Sequence, residues 1–358
     1  MICTGKIRIR QRAWTATKHS RFLIFASLIV LVPIFAAAQT PPRLSDTDRI
    51  RLREAFRLGD QLEDEVWPGW HKTPFAVLLV TSDYEFLIRH PNPSSDFTPL
   101  GNDLMLGGDV YYRKRQFSPN MQATFPAVNG VNTIVIGQAE LTFDKTSTRF
   151  VATVMHERFH QFVYSQPAYF AGVAALGLDH GDTTGMWMLN YPFPYDSPDV
   201  QEKFSAMIHA LSDALAASDA DLDAKTQIFR HTQQQFRGAV PVEAERYLAF
   251  QLWQEGVARY TELRIAELAA AKYKPTPEFT QLPDYKSFDD IARSIRAKIL
   301  DDLRTMSLAK TGRIVVYSTG AGEAMLLDRV NPKWQSAYFQ WMTLLPAFQK
   351  MFRLPDAE

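Results

Sequence analysis

Ser147-Thr-Arg-Phe-Val-Ala-Thr-Val-Met-His-Glu-Arg-Phe-His-Gln-Phe-Val-Tyr164 is the stretch from which the rest of the chain can be read. Phe150, Val151, Val154, Met155, Phe159, Phe162 and Val163 recur at helical spacing and predict a helix with apolar residues on nearly all sides. Inside it lies H-E-x-x-H, at His156, Glu157, Arg158, Phe159 and His160. Residues four apart share a helix face with Cβ atoms about 5–6 Å apart. His156 and His160 can therefore hold one metal ion through ring nitrogens, at the Zn–N distance of about 2.0–2.1 Å. Glu157 is turned away by about 100° and lies beside the ion, where a general base for water belongs. A solvated helix with two stray histidines is the plainer explanation. The apolar surroundings weaken it, because two buried imidazoles and a buried carboxylate need partners.

A catalytic zinc site usually has three protein ligands and one open position. Val163 and Gln166 stand where an H-x-x-G-x-x-H continuation would need glycine and histidine, so the third ligand must come from elsewhere. The candidates are Asp179, His180, Asp182, Glu202 and the acidic residues of a helix predicted over 242–272. Glu255 is the best of them, in Glu255-Gly-Val-Ala258 among apolar neighbours. A glycine inside a helix costs about 1 kcal/mol relative to alanine, and close approach of a second helix or a metal would give Gly256 a reason. Leu252, Glu255, Arg259 and Glu262 share one face.

Here the chain resembles the gluzincins, zinc peptidases with H-E-x-x-H on one helix and a glutamate ligand on a later one. Their aminopeptidase branch reads N-E-G-F-A-x-Y-x-E on that second helix. Glu255, Gly256, Ala258, Tyr260 and Glu262 match in register, with Gln254 for asparagine and Val257 for phenylalanine. The resemblance implies that His156, His160 and Glu255 bind Zn2+ and that Glu157 is the base. Glu262, Tyr260 and His180 become candidates to support the ligands or to face the substrate. The match covers two helices. Its gap of 95 residues from His160 to Glu255 is far longer than in the aminopeptidase branch, and no G-x-M-E-N segment is present. Aminopeptidase specificity is therefore not implied.

A peptidase of this kind stabilises an oxyanion with a donor. Tyr317 is the first choice, after the strand-like Arg313-Ile-Val-Val316 and before a Gly320-containing turn, with His180 and His231 as competitors. An ordinary core tyrosine is the alternative. Trp187, Tyr191, Phe193 and Tyr195 could line a substrate wall or simply pack.

Outward from the motif, the two halves differ. Ser45 caps a predicted amphipathic helix over 44–66, with Asp46 and Asp48 in its first turn. Phe75–Val80 and Tyr84–Ile88 read as a hairpin, 90–99 as a proline-rich loop, and 110–112 and 131–136 as further strands. The strand 132–136 is a candidate edge for pairing with an extended peptide. Beyond residue 146 helices are expected near 147–165, 199–217, 221–236, 242–272, 287–309, 320–328 and 333–352. A long Gly-, Pro- and aromatic-rich loop spans 177–198. The fold class is α+β, with a small mixed sheet in the N-terminal half and a mainly helical C-terminal half. Residues 39–145 and 146–358 are expected to form one catalytic unit around a zincin-like pair of helices.

Residues 1–38 read as a secretory signal peptide. Lys6, Arg8, Arg10, Arg12, Lys18 and Arg21 precede the apolar run Phe22–Phe35, and Ala36-Ala37-Ala38 follows. That run is short for a spanning helix and contains Pro33, which favours cleavage over a retained anchor. The chain has 39 basic and 39 acidic residues, and six of the basic ones fall in this segment. The remainder carries a formal charge of −6, against nucleic-acid or anionic-membrane partners. The single cysteine, Cys3, leaves with the segment, so disulfides and thiolate ligands are excluded. The expectation is an exported zinc hydrolase acting on a peptide or protein. A binding or scaffolding protein that keeps zinc without turnover is the alternative.

Overall fold

A computed structural model describes residues 41–349, and the predicted signal segment lies outside them. Asp46–Val66 forms α1, and the Ser45 hydroxyl accepts from the Asp48 N–H as its N-cap. Six strands follow: β1 (Val77–Val80), β2 (Tyr84–Ile88), β3 (Thr98–Asp103), β4 (Gly108–Lys114), β5 (Gln122–Val128) and β6 (Val131–Gly137). They form one sheet in the order β3-β4-β2-β1-β6-β5. Only the β1–β6 pair is parallel, with Val77 opposite Ile134; the other pairs are antiparallel. The sheet is therefore mixed, and the fold is α+β.

Alternation along the strands divides the apolar residues between two faces. Val77, Leu79, Phe86, Ile88, Ile134 and Ile136 join the main core with the helices. Leu78, Val80, Leu87 and Val135 pack with Phe97 and Val128 in a smaller cluster. The edge strands β3 and β5 are not among the expected strands, and β3 begins inside the expected loop 90–99. Each contains a proline, Pro99 or Pro126, and each shows a register shift, at Pro99/Gly101 and at Phe125/Val128. Proline and a bulge are tolerated at an edge and hide the period-two pattern. A further correction follows from the strand order. The strand 132–136 belongs to β6, which lies between β1 and β5, so the free edge beside the motif is β5.

The helical half begins with α2 (Ser147–Tyr164), followed by α3 (Tyr169–Ala175), α4 (Trp187–Asn190), α5 (Pro198–Ala216), α6 (Leu222–Ala239) and α7 (Val242–Gln251). After a single π turn at Leu252–Gly256 come α8 (Val257–Lys272), α9 (Pro277–Thr280), α10 (Phe288–Thr305), α11 (Leu308–Thr311), α12 (Val315–Val330) and α13 (Leu345–Gln349). The expected helix over 333–352 is instead a 3-10 segment, Trp334–Gln340, and the short α13, which Pro346 helps to start. Arg313–Val316 is not a strand. It enters α12 through the 3-10 turn Gly312–Ile314. Its β-branched residues suit either state, and burial of Val315 and Val316 against the helical core decides. From Pro41 onward the chain clusters as one unit. Among the described residues no helix is long and apolar enough to cross a membrane.

The metal-motif helix is tied down on its far side by its own polar residues. Arg158 is 1% exposed. Its Nε and Nη2 pair with Glu63 of α1 at 3.2 and 3.3 Å, and it donates to the carbonyls of Trp70, Thr73 and Pro74. Gln161 Nε2 donates to the carbonyls of Ala76 and Asn132, each at 2.9 Å, which locks α2 to the sheet.

One buried acid of α12 makes stability depend on pH. Glu323 is 2% exposed and accepts from Gln233 Nε2 at 2.8 Å. Burial pushes its carboxyl up to about 7, from 4.5. Between these values the unfolded chain has lost the proton and the folded chain keeps it, so stability falls as pH rises through the window and stays lower above it. Glu323→Gln should be more stable than the parent at about pH 8 by about 2–3 kcal/mol. The difference should close below about pH 5. Denaturant titrations at the two pH values check this, and equal stability at the higher pH would contradict it.

Candidate metal centre

His156 and His160 leave α2 one turn apart and meet Glu255 of the π turn. The two Nε2 atoms are 3.3 Å apart, and Glu255 Oε2 lies 3.9 Å from that of His156 and 3.5 Å from that of His160. Two ligands at about 2.0–2.1 Å from a tetrahedral ion are about 3.4 Å apart. Two sides of the triangle match this separation, and the third, His156 to Glu255, is longer at 3.9 Å. Two imidazole nitrogens and a carboxylate oxygen converge there, a donor set that suits a metal. It is the one group of at least three His, Cys, Asp or Glu side chains gathered closely enough for an ion among the described residues.

The sequence pointed to a continuous helix over 242–272, and the π turn is the departure that matters. A π turn inserts a residue into a helix and re-aims its side chains, and such turns recur at functional sites. The reason for Gly256 is now visible. A Cβ there would lie 2.4 Å from Gly320 Cα and 3.0 Å from the Val316 carbonyl oxygen. A Cβ on Gly320 would lie 2.4 Å from the Leu252 carbonyl oxygen. The two glycines let α12 press against the turn that carries Glu255.

Glu255 is oriented from behind. Arg313 Nη2 donates to its Oε1 at 3.0 Å, which leaves Oε2 for the histidines. Arg313 Nε also donates to Gln251 Oε1 and to the Met188 carbonyl, so the same guanidinium fastens the 177–198 loop. Burial opposes ionisation of Glu255, but His160, His156 and Arg313 hold its carboxyl well below the usual range. Arg313 was missed in the sequence because its surroundings read as a strand. Read as a helix start, its spacing of four from Tyr317 would have drawn attention.

Glu157 points from α2 toward the sheet edge. Thr124 of β5 donates to its Oε2 at 2.8 Å. Thr124 was also missed, since β5 was not recognised as a strand. Glu262 is 1% exposed and lies behind His156, with Oε2 3.5 Å from Nδ1. Burial would raise its carboxyl, but Arg149 and Arg259 bring it down to about 2. Tyr317 is half-buried, its ring centre 6.1 Å from that of His156, with the Arg259 and Arg313 guanidiniums 5.6 and 5.8 Å from its ring. Burial and the nearby Glu255 push its hydroxyl pKa up, so it is a proton-bearing donor at neutral pH.

Other sequence candidates lie elsewhere. Tyr260 donates to both oxygens of Asp328, at 2.9 and 2.8 Å, and packs on Trp334. His180 is exposed on its loop with φ 46° and lies 3.8 Å from Glu243. Asp179 and Asp182 accept backbone N–H groups within that loop. His231 and Glu202 are exposed on α6 and α5. Trp187 stacks on Phe250, Tyr191 stacks on Tyr247 at 4.3 Å, and Phe193 is buried beside Tyr195. No family model, curated protein or solved structure matches the chain.

Proposed function

We propose that this chain is an exported, zinc-dependent hydrolase of the gluzincin type that cleaves peptide bonds. The reading rests above all on one observation, the triangle of His156 Nε2, His160 Nε2 and Glu255 Oε2 with sides of 3.3, 3.5 and 3.9 Å. A zinc ion held there would polarise a carbonyl and acidify water. The chain's own groups supply the rest. Glu157, pinned through Oε2 by Thr124, offers Oε1 to take the proton from the attacking water and to return it to the leaving amine. Tyr317 donates toward the oxyanion. Glu262 steadies the His156 ring, and Arg313 keeps Glu255 turned to the site. The free edge of β5 gives an extended substrate main chain a place to pair.

The test is cleavage of a broad peptide library by the purified full chain, with and without a chelator. Chelator-sensitive cleavage restored by added zinc supports the proposal. Zinc bound without cleavage would replace it with a zinc-keeping binding protein.

A further inference from the structure

The face of α2 that carries His156 and His160 has two unlike ends. Of the 18 residues of α2 only Arg149, Thr153 and Tyr164 are not buried. With His156 and His160 they fall at 149, 153, 156, 160 and 164, the three-and-four spacing of a single helix face. At one end Tyr164 stacks on His160 at 5.6 Å and meets Tyr169 at 4.6 Å. At the other end stand two half-exposed arginines.

There Arg149 of α2 meets Arg259 of α8 across Glu262. Arg149 Nη1 lies 2.7 Å from Glu262 Oε1, and Arg259 Nη1 donates to Oε2. The acid is 1% exposed, whereas each arginine side chain remains 26% exposed. Two cations thus share one sunken carboxylate and keep surface toward solvent. Asp144 is a second carboxylate beside the pair. It lies 3.6 Å from Arg149 Nε, and its oxygens already accept from Thr153 and Gln122. A guanidinium carries five N–H donors, so both arginines have donors left over. Paired guanidiniums match the planar fork of a carboxylate.

We propose that Arg149 and Arg259 form a carboxylate subsite, and that the substrate carries an anionic group two or three residues from the bond that is cut. The spacing follows from helix geometry. Arg149 precedes His156 by seven residues, about 10 Å along the axis, which is about three residues of extended chain. The carboxylate can be an acidic side chain or the substrate's own C-terminus. The placement rests on the hydrolase reading; the anion preference does not.

The experiment uses the full chain with Glu157→Gln, so that binding is read without turnover, at saturating zinc. Fluorescence anisotropy compares three labelled peptides of one length: one with a glutamate and an amidated C-terminus, one with glutamine and a free C-terminus, and one with glutamine and an amide. One of the first two should bind about ten- to a hundred-fold tighter than the third, the range of a charge-assisted hydrogen-bonded pair. Which of the two it is identifies the source of the carboxylate. Adding Arg149→Gln and Arg259→Gln should abolish the difference, and Arg259→Lys should keep part of it. Equal binding of all three peptides overturns the subsite even if the double variant does not fold, and so does a preference that survives in that variant. Failure of the hydrolase reading shows separately, as wild-type protein that does not cleave the peptides its Glu157→Gln form binds.

Discussion

Glu157→Gln should lower the rate of peptide cleavage by about 10²–10⁴-fold, the usual worth of a positioned general base, while the protein keeps its zinc. The side chain is not one of the three proposed ligands, and its amide can still accept the Thr124 hydroxyl that now reaches Oε2 at 2.8 Å. Packing and the metal triangle are therefore left in place, and only the ability to carry a proton is removed. Steady-state kinetics beside metal analysis of the same samples measure the effect. Activity within a few-fold of the parent would remove Glu157 from the mechanism. Loss of zinc along with activity would mean that the residue acts on the site's structure.

The second large effect is on the fold that presents Glu255. Gly256→Ala should destabilise the protein by about 3 kcal/mol or more, at the upper end of overpacking. The new methyl would meet Gly320 Cα at 2.4 Å and Gly320 C at 2.8 Å, and these are backbone atoms of a packed helix that cannot swing aside. Relief requires α12 and the π turn to separate, which also draws Arg313 and Tyr317 away from Glu255. Zinc affinity should fall with stability. Gly238, also in a helix but with nothing within 4 Å of its added Cβ, is the control. Alanine there should be neutral or stabilising by up to about 1 kcal/mol. Denaturant midpoints of the two variants measure the contrast. Similar midpoints would mean that the Gly256–Gly320 contact is looser than the structure has it.

Legibility of the site in the sequence followed how local each signal was. His156, Glu157 and His160 lie within one turn and a half of helix, and spacing alone puts the two histidines on one face with Glu157 about 100° to the side. Glu255 could be singled out because a glycine in mid-helix demanded a close neighbour. The identity of that neighbour, Gly320, is a tertiary fact with no mark of its own in the sequence. Arg313 and Thr124 were out of reach for related reasons. One sits in a β-branched run that helical packing overrides, and the other on an edge strand whose Pro126 breaks the alternation. The sheet's central strands were legible because burial on both faces leaves unbroken apolar runs, as in Val77–Val80. Tyr260 and Glu262 share one motif and one helix, yet Glu262 turns to His156 and Tyr260 to Asp328. Motif membership does not assign a side chain's direction.

The central claim is that two histidines and a glutamate 95 residues further on hold one zinc ion. Its most direct measurement is the zinc content of wild-type and Glu255→Ala protein after dialysis against the same buffered zinc. The account predicts one zinc per wild-type chain and an affinity in the variant lower by more than the roughly 10–100-fold lost when only a supporting residue is changed. Equal zinc retention in the two proteins, or none in the wild type, would contradict it.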